Sequence, residues 1–123
     1  MSLPEPLTPE DEEELYELRS RVVRFMREED VLRYGQIGYK LTILKTLLEN
    51  GVHDPETLRG MGAVFGDAFI TTFELEWVKM HGEFALHKRG TGFTMYPLAL
   101  IGPGVDVYEL FGLLAGGLEE LAE

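Results

Sequence analysis

Apolar residues recur at steps of three and four in Leu15, Leu18, Val22 and Phe25, which predicts an amphipathic helix over 9–28. Thr8 suits its N-cap and Pro9 its first turn, with acids early and Arg19, Arg21, Arg24 and Arg27 late, the order that the helix dipole favours. Gly35 and Gly38 interrupt the pattern. A second helix follows from about residue 37, with Leu41, Leu44 and Leu48 on one stripe, Ile43 and Leu47 beside it, and Asn50-Gly51 as its stop. Asp54-Pro55 restarts a helix over 55–72. Leu58, Met61, Phe65, Phe69 and Thr72 share one of its faces, and the opposite face carries Gly60, Ala63, Asp67 and Ile70. A helix so short of charge is covered on several sides, and Gly62 and Gly66 are expected to admit a closely packed neighbour.

At Glu74 the period falls to two. Leu75 and Trp77 on one strand and Phe84 and Leu86 on the next define a core face. Between them, Gly82-Glu83 suits a two-residue loop that needs glycine first. Gly90-Thr91-Gly92 turns into a third short strand over 93–96, and 97–101 reads as a helical turn. After Gly102-Pro103-Gly104, the stripe of Val107, Leu110, Leu114, Leu118 and Leu121 predicts a last helix, broadened by Phe111 and Leu113. Gly112, Gly116 and Gly117 are expected to bend or fray it near 115–118. The expected fold class is therefore α+β: helices packed on one face of a small three-stranded antiparallel meander, in the order α-α-α-β-β-β-α. The 123 residues form one expected domain (1–123), with 1–8 as an extended or disordered lead-in.

Charge adds a second layer. The formal net charge is −11, and it is not spread evenly. Residues 1–30 hold ten acids against four bases, 31–104 hold seven of each, and 105–123 hold five acids and no base. This balance repels phosphate backbones and anionic lipid, so neither nucleic acid nor membrane is an expected partner. Cysteine is absent, which excludes disulfides and thiolate metal sites. No apolar run reaches membrane-spanning length and no secretory signal pattern opens the chain, so the cytoplasm is the expected compartment.

Candidate chemistry is sparse. Gly60, Gly62 and Gly66 are not spaced as a dinucleotide loop and lie inside a helix instead of opening one. His81-Gly82-Glu83 matches half of the zinc deaminase motif, whose other half needs cysteines. His53, Asp54, His81, Glu83 and His87 are of metal-ligand type but lack ligand spacing, so no metal and no cofactor is expected. Ser20 sits among arginines with no paired base, and no catalytic set emerges. Asp67 is the sharpest residue, because an enclosed carboxylate is costly unless paired. Its expected partners are the Trp77 indole N–H, a tyrosine hydroxyl, or a base among Lys40, Lys45 and Arg59. It reads either as a polar anchor joining helix to sheet or as part of a site with Trp77, His81 and His87.

Residues 58–114 resemble the bacterial domains of unknown function catalogued as DUF3806. The motifs are Met61-Gly62 and Phe65-Gly66-Asp67-Ala68, then Glu76-Trp77-Val78, the aliphatic Tyr96-Pro97-Leu98-Ala99-Leu100-Ile101, and Val105-Asp106-Val107. Gly102-Pro103-Gly104 stands where that family carries a basic segment. The resemblance implies an α+β domain and supplies no activity. The expectation is thus a small acidic, non-catalytic binding or interaction module, its partner another protein or a second copy joined through the C-terminal helix. The alternative is a small-ligand-binding protein or enzyme with a pocket near Asp67, Trp77 and the His81–His87 hairpin.

Overall fold

The computed structural model describes residues 3–121. Its order is β1 (Glu5–Pro6), α1 (Pro9–Val23), α2 (Glu28–Val31), α3 (Ile37–Glu49), α4 (Pro55–Phe73), β2 (Leu75–Met80), β3 (Glu83–Lys88), β4 (Thr94–Met95), a 3-10 turn at Pro97–Ala99, and α5 (Val107–Leu121). The mixed α+β class holds, and two features of the expected order change. The sheet has four antiparallel strands, β1-β2-β3-β4, because the lead-in contributes β1. Glu5 and Pro6 pair with Lys79 and Val78. An edge strand tolerates the proline there, since nothing beyond it needs its missing N–H. The second change is the additional short helix α2.

Local signals account for most boundaries. Thr8 and Asp11 form a reciprocal capping box, each side chain accepting the other's backbone N–H at 3.1 and 3.0 Å. Asp54 accepts the N–H of Thr57 at 3.0 Å and its hydroxyl at 2.9 Å. The Thr57 backbone bond holds the Asp54 carboxyl below its ordinary range. Helix α1 ends five residues sooner than expected, at Val23, and Phe25 lies half exposed instead of in the core. The hairpin turn is shifted by one residue. Its loop is His81-Gly82, with φ of 53° and 77°, the positive pair that a type I′ turn requires. Helix α5 runs unbroken through its glycines.

Helix α4 is central. Residues from Gly60 to Phe69 are buried on every side except at Asp67. Phe65 and Phe69 pack edge-on at 5.3 Å, and Phe111 of α5 closes on Phe69 at 4.6 Å. On the opposite side Ala63 joins Leu15 and Leu18 of α1, Phe84 of β3 and Leu98. The expected core face of the sheet holds: Leu75, Phe84 and Leu86 are buried, and Trp77 faces Leu86 across the β2–β3 pair.

The α4 glycines make room for other elements, as expected. A Cβ on Gly62 would stand 2.5 Å from the Leu98 Cα and closer still to the Pro97 carbonyl. On Gly66 it would stand 2.6 Å from the Trp77 ring, and on Gly60 it would strike the Leu18 carbonyl. The α5 glycines differ: a Cβ on Gly112, Gly116 or Gly117 meets nothing within 4 Å. Alanine substitution should therefore have opposite signs. Gly62→Ala should lower the unfolding free energy by about 1–3 kcal/mol through backbone overlap. Gly112→Ala and Gly116→Ala should each raise it by up to about 1 kcal/mol through helix propensity. Urea unfolding of the three variants checks both directions.

Candidate functional site

Helix α4 ends on Glu74 in the left-handed conformation (φ 55°), a position where glycine is the ordinary choice. The chain therefore passes from helix to strand without a loop. This tight handover brings Trp77 back along α4. Because Gly66 has no side chain, the indole packs close against the helix, and its Nε1–H reaches the next residue, Asp67, donating to Oδ1 at 2.9 Å.

Two further elements converge on the same carboxylate. Arg19 of α1 donates from Nε to Oδ2 at 2.6 Å and from Nη2 to Oδ1 at 2.9 Å. Tyr34, in the segment between α2 and α3, donates its hydroxyl to Oδ2 at 2.5 Å. Each oxygen thus accepts two hydrogen bonds, which fills the roughly four lone-pair positions of a carboxylate. The Asp67 side chain is 10% exposed and Arg19 27%. Lys40 of α3 is buried and sets its ammonium over the Tyr34 ring at 4.8 Å.

The electrostatics follow from this enclosure. Burial raises the Tyr34 hydroxyl far above its ordinary 10.0, and the Asp67 charge pushes in the same direction. Burial works against the charge on Arg19, but the hydrogen bonds and charge of Asp67 outweigh it and the net shift is upward. Burial lowers Lys40, with the Asp67 charge opposing.

Of the residues singled out in the sequence, Asp67 and Trp77 meet directly. Neither histidine bonds to Asp67, but His87 shares with Trp77 the lining of the groove beside Arg19. His81 occupies the hairpin turn, and His87 lies on the sheet face away from Leu86, with Nδ1 3.2 Å from the Thr94 hydroxyl. Of the bases proposed for Asp67, Lys40 is held one residue away over Tyr34. Lys45 pairs instead with Glu49 at 3.7 Å. Arg19 was not among them. The signal for it was weak: on a helical wheel Arg19 falls just beyond Leu15, outside the arc of Leu15, Leu18 and Val22 but nearer to it than Arg21, Arg24 or Arg27. Tyr34 follows no periodicity and carried no such signal.

Beside Arg19 the surface opens into a groove of about 800 Å³ between α1 and the edge of β2. Leu15, Trp77 and Val78, with Pro4, Pro6 and Leu7 from the β1 region, supply its apolar part. His87 and the Glu76–Arg89 pair, 3.4 Å apart, supply its polar part. Its charges are of both signs. Among the described residues no three histidine or carboxylate groups are placed to share a metal ion. Comparison with protein-family models, curated proteins and solved structures finds no match to the chain.

Two outcomes test the node. Asp67→Asn should cost about 3 kcal/mol in urea unfolding, because it leaves the Arg19 guanidinium largely enclosed without its counter-charge. In that background Arg19→Met should cost far less than it does alone, a coupling that a double-mutant cycle measures. Tyr34 supplies a pH dependence. The folded chain keeps its proton where the unfolded chain releases it, near pH 10.0, so stability is full below that pH and falls as pH rises above it. Tyr34→Phe should flatten this alkaline limb, which wild-type-minus-variant unfolding curves at rising pH would reveal.

Proposed function

We propose that this chain is a non-catalytic interaction module and that its contact surface is the outer flank of α5. The observation that carries this reading is an uncovered apolar strip. Val107 and Leu118 are buried, and Phe111 packs against Phe65 and Phe69. The flank beside them is left open: Leu113 is 70% exposed and Leu121 48%. Half-buried Leu110, with Leu100 and Val105, extends the strip along the molecule. An apolar strip of this length on a surface helix is the ordinary mark of a protein contact. The non-catalytic part is supported by Asp67, whose acceptor positions are taken up within the chain. The likeness of residues 58–114 to the DUF3806 domains stands as a proposal of kinship and brings no activity with it.

A second reading rests on the groove beside Arg19. Its size and its mixture of aromatic, aliphatic and charged groups are those of a small-ligand pocket, with Trp77 and His87 in its lining.

A photo-crosslinking residue placed at Leu113 in the producing cell separates the two. The expected result is a discrete covalent adduct at Leu113, absent when the same residue replaces the exposed Glu13 and lost on Leu110→Asp. Absence of an adduct at Leu113 would overturn the interaction reading. A small molecule retained in the native mass spectrum, and lost on His87→Glu, would favour the groove instead.

A further inference from the structure

We infer that the α5 flank is built to receive a cationic amphipathic helix of another protein, and not a second copy of this chain. The inference rests on the interaction reading above and adds the chemistry of the partner.

The geometry selects a helix. Leu110, Leu113, Gly117 and Leu121 follow one another at steps of three and four, the seam along which two helices pack side by side. From Leu110 to Leu121 the seam runs about 17 Å along α5. Gly117 lies within the seam, and a Cβ there meets nothing within 4 Å. It leaves a notch between Leu113 and Leu121 that a bulky apolar side chain can enter. The contrast with α4 matters. Each of Gly60, Gly62 and Gly66 has a neighbour inside the chain that excludes a side chain, whereas among the described residues nothing occupies the Gly117 notch.

Charge selects the sign of the partner. Glu109 and Glu120 run beside the seam, at positions where paired helices place their complementary charges. Asp106 stands at the N-terminal end, accepting the Glu109 N–H at 3.0 Å. Residues 105–123 contain no base at all. The last turn of α5 therefore has acids and no base at the negative end of its own dipole, an unfavourable arrangement that a nearby cation relieves. Lys45 of α3 is a base that reaches α5. It lies on the other side of α5 over the Tyr108 ring, already paired with Glu49. Two copies of α5 brought together along this seam, parallel or antiparallel, place acid against acid with no base to separate them. A helix bearing lysine or arginine beside an apolar stripe meets the seam and neutralises its border in one contact.

The test uses the full chain and two synthetic amphipathic peptides of about 18 residues, long enough to form a helix on binding. One has a leucine stripe flanked by lysines, and the other is identical except that glutamate replaces lysine. The lysine peptide should bind, with amide shifts in the NMR spectrum concentrated on residues 100–121, and the glutamate peptide should not. Binding should weaken by about tenfold or more on Glu109→Lys with Glu120→Lys. It should weaken at least as much on Leu113→Asp, an exposed position whose substitution leaves the fold intact. Lysine-peptide binding that is indifferent to Leu113→Asp would be charge attraction alone and would overturn the inference. A wild-type dimer in sedimentation, dissociated by Leu113→Asp, would overturn it in favour of a second copy while leaving the interaction reading intact. A strict monomer that ignores both peptides overturns it too, and with no crosslink at Leu113 the interaction reading falls with it.

Discussion

The carboxylate of Asp67 ties together four parts of the chain through hydrogen bonds. Arg19 comes from α1, Tyr34 from the segment after α2, Trp77 from β2, and Asp67 itself from α4. Taking an ion pair out of water costs several kcal/mol per charge, and attraction repays that only when the remaining hydrogen-bonding positions are filled. Here they are filled, by a side-on guanidinium, a phenol and an indole. The node therefore acts as a registration device. Apolar packing alone would let α1 slide or turn over α4 at modest cost, but an arginine displaced from Asp67 would strand two charges.

The glycines of α4 make that geometry reachable. Gly66 lets the indole lie against the helix, Gly62 lets Pro97 and Leu98 close over it, and Gly60 admits the α1 backbone at Leu18. Each lowers helix propensity, and each is offset by apolar surface buried at short range on both sides of α4. The outcome is a helix enclosed from Gly60 to Phe69, on which the sheet and the other helices converge. The acceptor positions of the enclosed carboxylate are taken up within the chain, and open surface lies along α5 and in the groove beside Arg19.

Much of this was legible in the linear pattern. The caps at Thr8 and Asp54, the span of α4, the change to period two and the core face of the hairpin all follow from side-chain spacing and local hydrogen bonding. So does the choice of Asp67 as a residue that must be paired, with the Trp77 indole and a tyrosine hydroxyl among its partners. These features depend on residues within a few positions of one another, or on a charge set against an apolar background. Where the reading slipped, the deciding contact was distant in sequence. Pro6 gave no local sign of strand character, and it becomes β1 only because Val78 and Lys79 present an unpaired edge. Phe25 continued the stripe of α1 by period, yet the helix ends at Val23 and leaves it half exposed.

The sequence by itself determined the class of the fold, the enclosure of α4, and the acidic character of both terminal segments. It did so because periodicity and charge are properties of the chain and need no partner element. Only the tertiary structure decided that Arg19 is the counter-charge of Asp67, since the two are 48 residues apart and several bases were chemically eligible. It likewise decided that the glycines of α4 face neighbours while those of α5 face open space. Identical residues carry no mark of which surface will be covered, and that depends on what the rest of the chain packs against them.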